Sequence, residues 1–194
     1  MVLHQSYVKF SACLFVLLST ALLFVPSVGH AETLTFVSDV ISNSAPGANS
    51  VSHTIKFTPA TPIPVGGKII IRPESLTGTF NISPLMDFSD LDLATGPTST
   101  GPFIDRTLAA VPSGTEEGVS VVSGASGSIT ITLGSAGVPA GEVIQIQIGS
   151  VATFGAVGDQ YIISPLTLGS HHMRFVTTDA SNAVLDTGST VIFL

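Results

Sequence analysis

From Glu32 to Leu194 apolar and polar residues alternate with a period of two. Val51, His53, Ile55 and Phe57 fall on one side of such a segment, and Ser52, Thr54, Lys56 and Thr58 on the other. Ile129, Ile131 and Leu133 alternate with Ser128, Thr130 and Thr132, and Ile144, Ile146 and Ile148 with Gln145 and Gln147. Successive side chains of a strand point to opposite faces, so this pattern predicts half-buried strands. Further strands are predicted around Leu34, Phe36 and Val40, at Ile69-Ile70-Ile71, through Phe88, Leu91 and Leu93, from Val119 to Val122, at Met173, Phe175 and Thr177, and at Val191–Leu194. Phe103–Val111 fits no single pattern. Gly- and Pro-rich segments, such as 59–67, 97–102 and 134–141, punctuate the series, and no stretch keeps a helical period over two or three turns. Short strands with a turn every ten residues or so predict an all-β fold. We expect one antiparallel sandwich of about seven to nine strands over residues 32–194.

One pattern occurs twice. Thr54–Thr58 leads across a loop to Ile63-Pro64-Val65-Gly66 and then Ile69-Ile70-Ile71; Ser128–Thr132 leads to Val138-Pro139-Ala140-Gly141 and then Ile144-Gln145-Ile146. Pro fixes φ on entry to the next strand and Gly permits the turn, so both units read as hairpins. Two such hairpins, one in each half, are expected to face each other across the sandwich.

Residues 1–31 break the alternation. Lys9 precedes an apolar run, Ala12 to Val25, which Pro26 ends, and Gly29-His30-Ala31 places small residues before a cut. This is the layout of a secretory signal, with a signal helix and cleavage after Ala31. The run is short for a permanent membrane span. The only cysteine, Cys13, lies ahead of the apolar run, whereas a lipid-attachment cysteine follows one. The remainder is therefore expected outside the cytoplasm, at the cell surface, in the extracellular space or in a periplasm. It has no thiol chemistry and no disulfide. Of the six basic residues only Lys9 precedes Glu32, so thirteen acidic residues face five basic ones after it, a net charge of −8. That balance argues against nucleic acid and against anionic membrane surfaces as partners.

The doubled strand-loop-apolar-Pro-x-Gly unit stands with Gly169-Ser170-His171-His172-Met173-Arg174-Phe175-Val176-Thr177-Thr178-Asp179 and Val184-Leu185-Asp186-Thr187-Gly188 near the end. Together these resemble the immunoglobulin-like β-sandwich modules of bacterial surface proteins over most of residues 33–194. The resemblance implies an exported, non-catalytic module with an adhesive or scaffolding role.

The residues that could carry chemistry are few. Asp87, Asp90 and Asp92 form an acidic cluster whose hard oxygens suit Ca²⁺, but it lacks the Gly and closing Glu of a calcium loop. A solvated strand edge is the plainer reading, with Asp90 and Asp92 on one face and Leu91 and Leu93 on the other. Val184-Leu185-Asp186-Thr187-Gly188-Ser189 resembles the active-site loop of aspartic proteases, whose chemistry needs a second aspartate. We expect a turn there instead. Glu116-Glu117 reads as exposed turn charge, because glycosidase carboxylates flank a sugar from separate elements. His171 and His172 point to opposite faces of a strand and do not share a metal, and His53 reads as a hydrogen-bonded, partly buried histidine. Asn81-Ile82-Ser83 is a formal sequon, and Gly124–Gly127 lacks the strand-to-helix setting of a nucleophile elbow. One Tyr and no Trp after residue 31 argue against a sugar-binding face. No enzyme, cofactor or metal site is predicted. The leading expectation is a structural or adhesive surface module that contacts other surface proteins or itself. The alternatives are a filament subunit joined through terminal strands and a ligand- or calcium-binding module.

Overall fold

The structure, a computed structural model, describes residues 31–74 and 79–194. The expected signal segment, its helix and Cys13 lie outside the described residues. Ala31–Leu194 forms one compact unit.

The fold is an all-β sandwich. With strands numbered along the chain, the larger sheet runs in spatial order β1 (Glu32–Thr33), β14 (Val184–Phe193), β13 (Ser170–Thr178), β4 (Lys68–Glu74), β10 (Ser128–Thr132), β9 (Glu117–Val122) and β8 (Leu108–Ala109). The smaller sheet runs β2 (Thr35–Ile41), β3 (His53–Thr58), β11 (Val143–Ile148), β6 (Leu91–Gly96) and β7 (Ile104–Arg106). A two-stranded ribbon joins β5 (Asn81–Ile82) to β12 (Ile162–Ile163). Among the described residues nine strands have five residues or more, within the expected number. Pairing is antiparallel except between β1 and β14 and between β8 and β9.

The alternation becomes the core. Ile55 and Phe57 of β3, Ile69 and Ile71 of β4, Ile129 and Ile131 of β10, and Ile144, Ile146 and Ile148 of β11 are all fully buried. Phe57 of one sheet stacks on Phe175 of the other at 5.7 Å between ring centroids, which fixes the two sheets face to face. Each such side chain contributes roughly 1.5–3 kcal/mol by leaving water.

The repeated units are related as expected, but they are not hairpins. β3 lies in the smaller sheet and β4 in the larger; β10 lies in the larger and β11 in the smaller. Each unit is an arch that crosses from one sheet to the other. The arches interlock, with β3 paired to β11 and β4 paired to β10. Their loops pair as well: Ile63 N–H donates to Val138 C=O at 2.9 Å, and Val138 N–H to Ile63 C=O at 2.8 Å. Gly66 and Gly141 occupy matching left-handed positions, φ +81° and +82°. The physical reason is the apolar residue in each loop. Ile63 and Val138 are buried here, whereas a hairpin tip would leave both in water.

Two segments depart from their expected form. Asp186-Thr187-Gly188 is no turn but the middle of β14, where Gly188 lets the chain joining β1 to β2 cross closely. A Cβ on Gly188 would lie 2.9 Å from Leu34 Cβ and 3.0 Å from Val37 Cγ2. Phe88 is not in a strand: Phe88–Asp90 form a single 3₁₀ turn ahead of β6. Gly124–Gly127 is the turn between β9 and β10, a strand-to-strand setting.

Candidate functional site

Two of the three clustered aspartates are buried, and only Asp87 is exposed. Asp90 is 2% exposed and Asp92 4% exposed, which overturns the strand-edge reading. A loop, 149–160, folds over the outer face of β6, and its N–H groups have no strand to pair with. The aspartates supply the acceptors. Asp90 Oδ1 accepts from Asp159 N–H and Gln160 N–H, each at 2.9 Å. Its Oδ2 accepts from Asp87 N–H at 3.0 Å. Asp87 caps the 3₁₀ turn by accepting from Ser89 N–H at 2.8 Å and Ser89 Oγ–H at 2.7 Å. Asp92 Oδ2 accepts from Thr153 N–H at 2.5 Å and Phe154 N–H at 2.9 Å. Gly158 lets the loop close over the turn, since a Cβ there would sit 3.0 Å from Asp90 Cα. Asp87, Asp90 and Asp92 are thus brought to one place, but their oxygens point at different parts of the backbone. Among the described residues no three His, Cys, Asp or Glu side chains are arranged to hold a metal ion.

The clamped loop and the 3₁₀ turn leave a small pocket between them, about 190 Å³, lined by Phe88, Leu91, Asp92, Leu108 and Phe154 among others. Phe88, on the 3₁₀ turn, and Phe154, on the clamped loop, are 37% and 47% exposed, large apolar rings at the surface. Among the described residues no basic side chain lines this pocket. Burial raises the Asp92 carboxyl above its ordinary value, against the lowering effect of the Phe154 and Thr153 N–H groups; the nearby Asp105 charge adds to the rise.

Glu117 and Asp186 are also interior clamps. Glu117 is fully buried, contrary to the exposed-turn reading. It accepts from Gly134 N–H, Ser135 N–H and Ser135 Oγ–H, and pairs with Arg106 at 2.5 Å. The loop after β10 is thereby tied to β9. Glu116 is half-buried and accepts only from Ser113 Oγ–H at 3.1 Å. Asp186 Oδ2 accepts from Thr61 N–H and Thr177 Oγ1–H, each at 3.2 Å, which ties the first arch loop to β14. Sequence reasoning missed all of this, because spacing along the chain does not show which distant loop will lack backbone acceptors.

His171 and His172 lie on opposite faces of β13, and His53 is hydrogen-bonded as expected but more deeply buried. His53 is fully buried with Nδ1 2.8 Å from Asp39 Oδ2, and its ring meets Phe80 edge-on at 5.7 Å. His171 is also buried and meets Phe80 edge-on at 6.1 Å, while His172 is half-buried. Asn81 is exposed on β5. Three of the five basic residues after Glu32 gather on the outer face of the larger sheet: Lys68, Arg72 and Arg174. Arg72 and Arg174 are direct cross-strand partners, and Arg174 reaches Glu74 at 3.2 Å.

No protein-family model matches this chain, and no curated protein matches it. The arrangement of carboxylates can hold loops and can meet a ligand at the Asp92 pocket.

Proposed function

We propose that this chain is an exported, non-catalytic β-sandwich module that acts by contact, as an adhesive or structural element of a cell surface. The observation that carries this reading is the clamped loop. Asp90 and Asp92 spend buried carboxylate oxygens on loop backbone, and the loop so fixed holds Phe154 beside Phe88 at the surface. Rigid loops on a β-scaffold are where contact residues gather, and exposed aromatic rings carry contact energy at low entropic cost. The resemblance to surface-protein modules and the signal-like residues 1–31 support the location.

The test is fractionation of cells making the full chain. A product starting at Glu32 in the envelope or medium is expected, with binding of purified protein to envelopes lost in a Phe88→Ala/Phe154→Ala variant. Retention of the whole chain in the cytoplasm would overturn export. Unchanged binding by the double variant would overturn this contact site.

A second reading, self-assembly, is favoured by the edge of β14. On its outer side β14 is paired by β1 only at Asp186 and Thr187, and among the described residues no strand pairs there with Ser189–Phe193. Exposed edges of this kind accept added strands. Sizing the protein across concentration checks this; a monomer at every concentration removes it.

A further inference from the structure

We infer that the pocket beside Asp92 binds an organic ammonium group, a primary or methylated amine on a short apolar stem. The inference rests on reading the clamped loop as the contact site and adds the chemical class of what it contacts. Asp92 is 4% exposed and lines the pocket, yet only its Oδ2 is used by the protein. Among the described residues Oδ1 receives no donor, and it is not one of the carboxylate oxygens sealed from solvent. A nearly buried carboxylate without a cationic partner is costly, and a cation that enters the pocket relieves that cost.

The walls select the kind of cation. Phe88, Leu91, Leu108 and Phe154 offer apolar area and two aromatic rings, which suit an alkyl stem and attract an ammonium through their π faces. Ca²⁺ fits poorly, because it needs six to eight oxygens and the pocket presents one free carboxylate oxygen. An anion meets the Asp92 charge, and a neutral apolar ligand would bury that charge unpaired. Asp105 adds to the negative potential, and among the described residues no Lys or Arg lines the pocket to compete. The ammonium could arrive as the lysine side chain of a partner or as a free amine; both present the same group.

The test is a titration of the full chain followed by the amide NMR signals of Thr153 and Phe154, which report on Asp92 directly. The probes are acetyl-lysine-methylamide and its trimethylated form, n-butylammonium, acetyl-norleucine-methylamide and CaCl₂. Saturable shifts with the three ammonium probes are expected, at least tenfold tighter than with norleucine. Asp92→Asn keeps an acceptor for both amides and should weaken binding at least tenfold, and Phe154→Ala should weaken it several-fold. Tighter binding of the lysine amides than of butylammonium points to a protein side chain, and the reverse to a free amine; either supports the inference. No shift with any ammonium probe, an equal response to norleucine, full binding in Asp92→Asn, or saturation by calcium alone would each overturn it. Envelope binding is scored separately. Loss of that activity in Phe88→Ala/Phe154→Ala with a silent amine titration rejects the ligand class and keeps the contact site.

Discussion

Asp90 and Asp92 stand two residues apart and clamp the same loop, yet they differ in how many oxygens they commit. Asp90 uses both, taking three backbone N–H groups. In Asp90→Asn an amide N–H₂ must face one of those donors, so a loss of about 1–3 kcal/mol is expected in urea unfolding. Asp92 uses one oxygen only, so Asp92→Asn keeps both of its bonds. The sign of its effect follows from burial. The Asp92 carboxyl is raised in the folded state, so the native protein holds that proton more tightly than the unfolded chain does. Ionised Asp92 therefore costs stability, and that cost sets in as pH rises from the ordinary Asp value through the raised one. Asp92→Asn should match or exceed the parent in stability at neutral pH and lose that advantage in acid, as urea midpoints at the two pH values will show. Glu117 has the most to lose. Glu117→Ala takes the carboxylate from Arg106, which keeps Ser135 Oγ and Ala136 C=O, leaves two N–H groups without their acceptor, and should cost about 3–5 kcal/mol by the same measurement.

The arches give the clearest comparison between elements. Gly66 and Gly141 share one backbone conformation in different surroundings. A Cβ on Gly141 meets nothing within 4 Å, whereas one on Gly66 lies 3.0 Å from Ala180 Cβ. Gly141→Ala should cost about 1–2 kcal/mol for the left-handed backbone alone, and Gly66→Ala more, as thermal melts of the two variants will show. On the larger sheet Arg72 directly faces Arg174. Arg72→Thr should raise stability by about 0.2–1 kcal/mol, more in low salt, as melting at two ionic strengths tests. The sequence pattern made β3, β10 and β11 legible because one side of each faces the core and the other is at least partly wet. It marked β6 through Leu91 and Leu93 but not that strand's second buried side: Asp92 lies between them and all three are buried. A loop from sixty residues further on covers that strand's outer face, and nothing near Asp92 in sequence announces it. For the same reason the acidic cluster was legible as a place but not as a clamp. The Pro-x-Gly echo marked two related units, yet their hairpin form was misread because periodicity does not say which sheet receives the next strand.

At the scale of the molecule the two arches make the halves of the chain depend on each other. β3 finds β11 and β4 finds β10, pairings that span most of the domain. Unfolding should therefore be one cooperative transition, with coincident curves from far-UV circular dichroism and Tyr161 fluorescence; separated curves would show independent halves. Charge is divided less evenly than structure. The outer face of the larger sheet carries Lys68, Arg72 and Arg174, while Asp87 and Asp159 are exposed beside the clamped loop on the other sheet. A net negative protein with one cationic face has a built-in orientation toward charged surroundings. The interlocked arches also set a timetable. Until residues 128–148 have been made, β4 has no strand partner and β3 has only β2, so a fragment ending at Gly127 should stay unfolded by circular dichroism while the whole domain folds. Under the proposed export route the first half of the polypeptide would reach the membrane still threadable, and the same crossing that joins the two sheets would serve as a delay that keeps the domain from setting before it has passed through.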